Sequence, residues 1–188
     1  LEPLLFRQAN ALQIFRQWLL YKIVLGVGAV FEAHGNTPAD LRGLILDADS
    51  LIRGFESGGV PSLPANPLTP QILCESLERW ADHLGMQRCV VLMDDAAHAF
   101  SPEQQREFFE VFRGLRSRRV AGKAAVYPGI TSYSPNFHVG HDAELLQVWA
   151  KPDAGYLKSM RSVTQKRLPN RMREELEGKE DVVNLLAL

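Results

Sequence analysis

The chain has 188 residues, 21 basic and 22 acidic, and a net charge of −1. That length suits one domain with at most a small appendage, and 46% hydrophobic with 23% charged residues is the profile of a soluble globular protein. A charge so close to zero excludes a global electrostatic case for nucleic acid or membrane, and two cysteines, Cys74 and Cys89, exclude a disulfide framework and point to a reducing, cytoplasmic setting.

The chain opens on Leu1-Glu2-Pro3, and no signal peptide is evident. Residues Leu4 to about Leu25 show apolar Leu5, Leu12, Phe15, Leu19 and Ile23 at helical spacing, with Gly26 and Gly28 expected to loosen the end. The most apolar stretch, Leu19 to Phe31, contains Lys22 and is short for a bilayer span, so no membrane partner is expected. A second helix is predicted near Pro38 to Phe55, with Leu41, Leu44, Ile45, Ala48 and Ile52 on one face. The Gly- and Pro-rich run Ser57 to Pro70 reads as a loop. Thr69 is placed to cap a third helix and Pro70 suits its first turn. Leu73, Leu77, Trp80 and Leu84 form its apolar face, and Gly85 ends it.

"RCVVLM" then reads as a strand, and its continuous apolar run predicts burial on both faces, as in a parallel sheet. Ser101-Pro102-Glu103-Gln104 is a helix start with the spacing of a capping box. Phe108, Phe109, Phe112 and Leu115 follow on one face, as core rather than as a base-stacking platform. "RSRRVAGK" is expected to turn, Ala124 to Ile130 to form a second strand, and "AELLQVWA", Ala143 to Ala150, a third. Helix and polar linker are expected from Gly155 onward. The alternation of helix and strand predicts an α/β fold, a parallel sheet covered by helices. In such sheets ligands bind outside the carboxyl ends of the strands. Asp94 and Asp95 follow one strand end, and Thr131 and Ser132 follow the next.

Two adjacent carboxylates at a strand end repel each other and resist burial, so they face water or a cation. Four apolar residues followed by Asp94-Asp95 resemble the Walker B motif of P-loop ATPases. The block "LMDDAAHAFSPEQQREFFEVFRGL…AAVYPGITSYSPNFHVGHDAE", within Gln71 to Trp149, is similar to bacterial AAA+ ATPases related to the origin-recognition ATPases. The resemblance implies a three-layer P-loop-type fold, incomplete here: an α/β core over 1–154, and a helical segment or start of a lid over 155–188. It implies ATP and Mg²⁺ as cofactors. Asp94 matches the carboxylate that holds Mg²⁺ through water and so helps bind nucleotide. Asp95 matches the catalytic acid, where many members have Glu. Thr131 is the best match to the catalytic sensor 1 residue, with Ser132 beside it as a nucleotide contact. A switch or motor follows from the same resemblance, with a homo-oligomer or protein partner, in DNA-associated work or defence.

One departure is serious. The phosphate-binding loop, Gly-x-x-x-x-Gly-Lys-Ser/Thr, does not occur in these 188 residues. Either the segment that carries it lies upstream, or the fold is kept by a non-catalytic interaction domain that has lost nucleotide binding. A small metal-dependent hydrolase built on Asp94 and Asp95 is a third reading.

Other residues carry competing readings. His138, His141, Asp142 and Glu144 offer metal-ligating types within seven residues, against a plain structural loop broken by Gly140. Arg113, Arg116, Arg118 and Arg119 offer a phosphate-facing cluster or an arginine finger, against a solvated helix end. His98 offers a phosphate contact, against a local hydrogen bond.

Overall fold

The structure is a computed structural model that describes residues 10–56, 64–94, 101–127 and 129–146, with Gly155, Lys158, Ser162, Val163 and Lys166. The chain divides into two compact units, Leu1–Asp142 and Ala143–Leu188. In the second, the isolated residues from Gly155 to Lys166 are helical and Glu144 to Leu146 carry no regular structure, so the strand expected over 143–150 is not seen in its described part. The first unit is mixed α/β, with four helices and a two-stranded parallel sheet among the described residues.

Helix α1, Ala11–His34, runs nine residues past its expected end at Leu25 and closes on Gly35 at φ +74°. Gly26 and Gly28 lie inside it and do not stop it. Gly28 has a packing reason to be there: a Cβ on it would sit 2.8 Å from Ile45 Cδ1 of helix α2, Ala39–Glu56. The close approach of α2 outweighs the cost of a helical glycine, about 1 kcal/mol. α1 has the length and apolarity to cross a bilayer, contrary to the reading of its apolar stretch as short, but 56% of its most apolar window is buried inside the fold. Ile14, Phe15, Leu20, Tyr21 and Val24 are its core contribution. Gln17, 3% exposed, is the polar exception. Its side-chain amide donates to Leu68 O at 2.7 Å and accepts from Leu68 N at 2.9 Å, so the segment leading into the next helix is hydrogen-bonded to α1.

Helix α3, Pro70–His83, starts as expected: Thr69 Oγ1 accepts from Ile72 N at 3.2 Å. Its end is a Schellman turn, with Gly85 at φ +67° and Met86 N donating to Ala81 O at 2.8 Å. Asp40, in the first turn of α2, accepts from Trp80 Nε1 at 3.0 Å and ties α2 to α3. Burial raises the Asp40 carboxyl, but hydrogen bonds from Trp80, the Leu41 backbone and Arg79 outweigh it and leave the group below its ordinary 3.8.

Strand β1, Cys89–Met93, pairs in parallel with strand β2, Val120–Ala124, with Cys89 opposite Val120 and Met93 opposite Ala124. The second strand therefore falls before the expected Ala124–Ile130, on residues read as a turn. The helix between, α4, Pro102–Gly114, has the complete capping box: Ser101 Oγ accepts from Gln104 N, and Gln104 Oε1 accepts from Ser101 N at 3.0 Å. Cys89, Val91 and Met93 are half-buried, whereas Val90 and Leu92 are 48% and 74% exposed. Burial on both faces was expected for β1. Instead helices cover one face, where Phe112 of α4 lies so close over Gly122 that a Cβ there would meet its ring at 2.9 Å.

Candidate functional site at the carboxyl end of the sheet

Parallel strands point their carboxyl ends the same way, and the helix joining them runs back against them. The first turn of α4 therefore lies at the carboxyl end of the sheet, beside Asp94. Asp94 is exposed there, one residue beyond β1. Asp95 and His98 lie outside the described residues.

Thr131 and Ser132 come seven and eight residues after the end of β2, because the strand ends at Ala124. Thr131 Oγ1 donates to Tyr127 O at 2.7 Å. Ser132 N donates at 2.6 Å to Oε1 of Gln105, a buried residue in the first turn of α4. That bond brings Ser132 to the same end of the sheet as Asp94. Sequence reasoning missed Gln105. Its signal was a glutamine directly after the capping box, facing inward beside Phe108 and Phe109.

The loop after Thr131 is fastened to α4 by aromatic packing. Tyr133 and Phe137 stack 5.7 Å apart, and Phe109 meets them at 4.6 and 4.9 Å. Phe108 and Phe109 are buried, which makes this aromatic face core, as expected. The Ser134 hydroxyl donates to Glu110, and Asn136 Nδ2 donates to the same carboxylate at 3.2 Å.

The histidine segment is a turn held by its own aspartate. Asp142 Oδ2 accepts from His138 N at 2.8 Å, Oδ1 lies 3.2 Å from His141 Nδ1, and Gly140 takes φ +92°. The His138 amide, ahead of a smaller opposing burial effect and then His141, holds the Asp142 carboxyl below its ordinary value. Among the described residues no group of three His, Cys, Asp or Glu side chains converges on a metal position. Three of the four clustered arginines are bonded within the fold. Arg119 donates to Asp82 at 2.5 Å, Met86 O at 3.0 Å and Gln87 O at 3.1 Å; Arg116 donates to His141 O at 3.3 Å; Arg113 reaches Glu110 at 3.5 Å. These bonds favour the plain structural loop for the histidine segment and weigh against a phosphate-facing role for Arg113, Arg116 and Arg119.

Beside β1 lies an apolar cavity of about 560 Å³, lined by the strand from Arg88 to Asp94, by α1 and α3, and by Phe108 of α4. The chain matches no family model, no curated protein and no solved structure.

Proposed function

We propose that the first unit is the acidic half of an ATPase core of the AAA+ class. In this reading Asp94 is the Mg²⁺-associated carboxylate, Asp95 the water-activating acid, and Thr131 and Ser132 the polar residues facing the γ-phosphate. The observation that carries it is the parallel β1–α4–β2 unit with Asp94 exposed at its carboxyl mouth, where α/β sheets bind ligands. A hard divalent cation takes oxygen ligands and offsets phosphate charge, which suits a carboxylate at that place. A three-layer sheet completed by further strands, oligomeric assembly, a cytoplasmic location and DNA-associated work belong to the same proposal.

The reading needs a phosphate-binding loop that these residues do not contain. The chain by itself is therefore expected to bind Mg-ATP weakly, because the backbone N–H cradle and its lysine are missing. Isothermal titration tests this: micromolar affinity in this chain means that another cradle exists. In a longer reading frame that carries the loop, Asp95→Asn spares nucleotide binding and suppresses hydrolysis, since the amide is a far weaker base. Asp94→Asn weakens Mg²⁺-dependent binding instead. Parental hydrolysis in Asp95→Asn makes the pair structural.

A second reading, a non-catalytic interaction domain, is favoured by one observation. The Thr131 hydroxyl and the Ser132 amide are both spent on bonds within the fold. A reading frame without the loop would select it.

A further inference from the structure

Thr131 and Ser132 are adjacent, yet their polar groups are committed differently. The Thr131 hydroxyl has one hydrogen, and it already goes to Tyr127 O at 2.7 Å. Ser132 is held by its backbone instead, with N donating to Gln105 Oε1 at 2.6 Å. The Ser132 hydroxyl makes no hydrogen bond among the described residues. An ionised phosphate oxygen only accepts, so it needs a hydrogen from its partner. Thr131 would have to give up a bond to supply one, and Ser132 would not.

Gln105 is what holds Ser132 at this end of the sheet. It is 7% exposed, in the first turn of α4, where an amide costs free energy unless it is bonded. Its neighbour Gln104 turns back to Ser101 N and serves the helix end. Gln105 instead reaches a backbone amide 27 residues along the chain. One helical turn on, Phe109 meets the Tyr133 ring at 4.6 Å. Gln105 and Phe109 are four residues apart and share a face of α4. Two consecutive residues are therefore fixed on that face, Ser132 by a hydrogen bond and Tyr133 by ring packing. The Ser132 backbone is set against the helix turn that lies beside Asp94, and its hydroxyl is left uncommitted.

We infer that Gln105 is the positioning residue of the mouth, and that Ser132 rather than Thr131 supplies the hydroxyl hydrogen that a nucleotide phosphate accepts. The inference rests on the nucleotide reading above and narrows its two polar candidates to one. Gln105 does not touch the phosphate. It acts through the Ser132 amide, which fixes where the hydroxyl stands relative to Asp94. Thr131 closes the turn before it. A hydroxyl that donates to an ionised oxygen makes one of the stronger hydrogen bonds, so the choice of residue is measurable.

Mn²⁺ with ATP, titrated into the full chain, tests it through the apparent affinity read from paramagnetic broadening of the Asp94 amide. Ser132→Ala is expected to weaken that affinity about tenfold, the worth of one hydrogen bond to a charged group. Thr131→Val weakens it less. Gln105→Met has a similar length and no acceptor oxygen; it weakens the affinity and moves the Ser132 amide proton upfield. The double variant Gln105→Met/Ser132→Ala is no weaker than Ser132→Ala alone, because Gln105 acts only through Ser132. Gln105→Asn, one methylene shorter, replaces Gln105→Met with the same expectations where the latter does not fold. A parent chain without broadening at Asp94 sinks the nucleotide reading and this inference together. Broadening in the parent with an equal or larger loss in Thr131→Val overturns the inference alone. Additive losses in the double variant also overturn it, since Gln105 then acts on the fold and not through Ser132.

Discussion

The two ends of the same pair of strands are built differently. At the amino end, Arg119 bridges Asp82 and two carbonyls, and Ser117 donates to Glu78. At the carboxyl end, Asp94 is exposed, the α4 N-terminus is capped by its own Ser101, and Ser132 is brought in by Gln105. At the amino end Arg119 is bonded within the fold, and at the carboxyl end Asp94 is exposed. Abundance of charge thus misleads as a guide to function: Arg113, Arg116 and Arg119 are bonded within the fold, and the exposed Asp94 at the mouth is the better candidate.

Substitutions break or sharpen this contrast. The largest effect is expected in the framework, at Gln17→Ala. It strands the buried N–H and C=O of Leu68 and is expected to cost about 2–4 kcal/mol in chemical denaturation. Gly122→Val comes next. It forces Phe112 off the sheet and is expected to cost about 1–3 kcal/mol, because overpacking a fitted contact strains both sides. Arg119→Ala lowers the melting temperature at the amino end and leaves any binding of Mg²⁺ at Asp94 unchanged. Asp94→Asn does the reverse: stability stays within about 0.5 kcal/mol, the usual range for a surface substitution. Thermal melts with and without Mg²⁺ check both variants.

The cysteines sharpen the same picture chemically. Burial raises the Cys74 and Cys89 thiols above their ordinary 9.0, so both are expected to react slowly with iodoacetamide at neutral pH in the folded chain and rapidly in denaturant. The smallest effect is pH-dependent. The Asp40 carboxyl lies below its ordinary 3.8 in the fold, so its contribution is complete above the unfolded value and is lost as pH falls through the folded one. The stability gap between the parent and Asp40→Asn, followed by denaturant titration, should close in that acidic window and stay constant from pH 5 to 7.

Local chemistry made much of the fold legible. Thr69-Pro70, Ser101 to Gln104 and Gly85 mark helix ends through bonds a few residues long, and each stands where the sequence placed it. β2 was not legible, because "VAGKA" carries glycine, lysine and alanine, all poor strand formers. It is a strand because β1 and Phe112 make it one. "AAVYPGIT" has the better strand composition but falls mostly beyond the ladder. The end of α1 was misread for the same reason: Gly28 looks like a terminator alone and is a packing device beside Ile45. An apolar run such as Val90 to Met93 does not distinguish a strand covered twice from one with an open face. The mouth itself was half legible. Asp94 follows from the run that precedes it, but Gln105 and the displacement of Thr131 and Ser132 from the end of β2 depend on long-range contacts.

The proposed nucleotide site would seat a metal-associated phosphate at the carboxyl mouth beside Asp94. Paramagnetic relaxation by Mn²⁺, added with ATP at millimolar concentration, tests it without requiring tight binding. Broadening of the amides of Asp94, Gln104, Gln105 and Ser132 is expected, with none at Ser117 and Arg119 and loss of the effect in Asp94→Asn. Broadening that spreads over surface acids, or that survives Asp94→Asn unchanged, would contradict it.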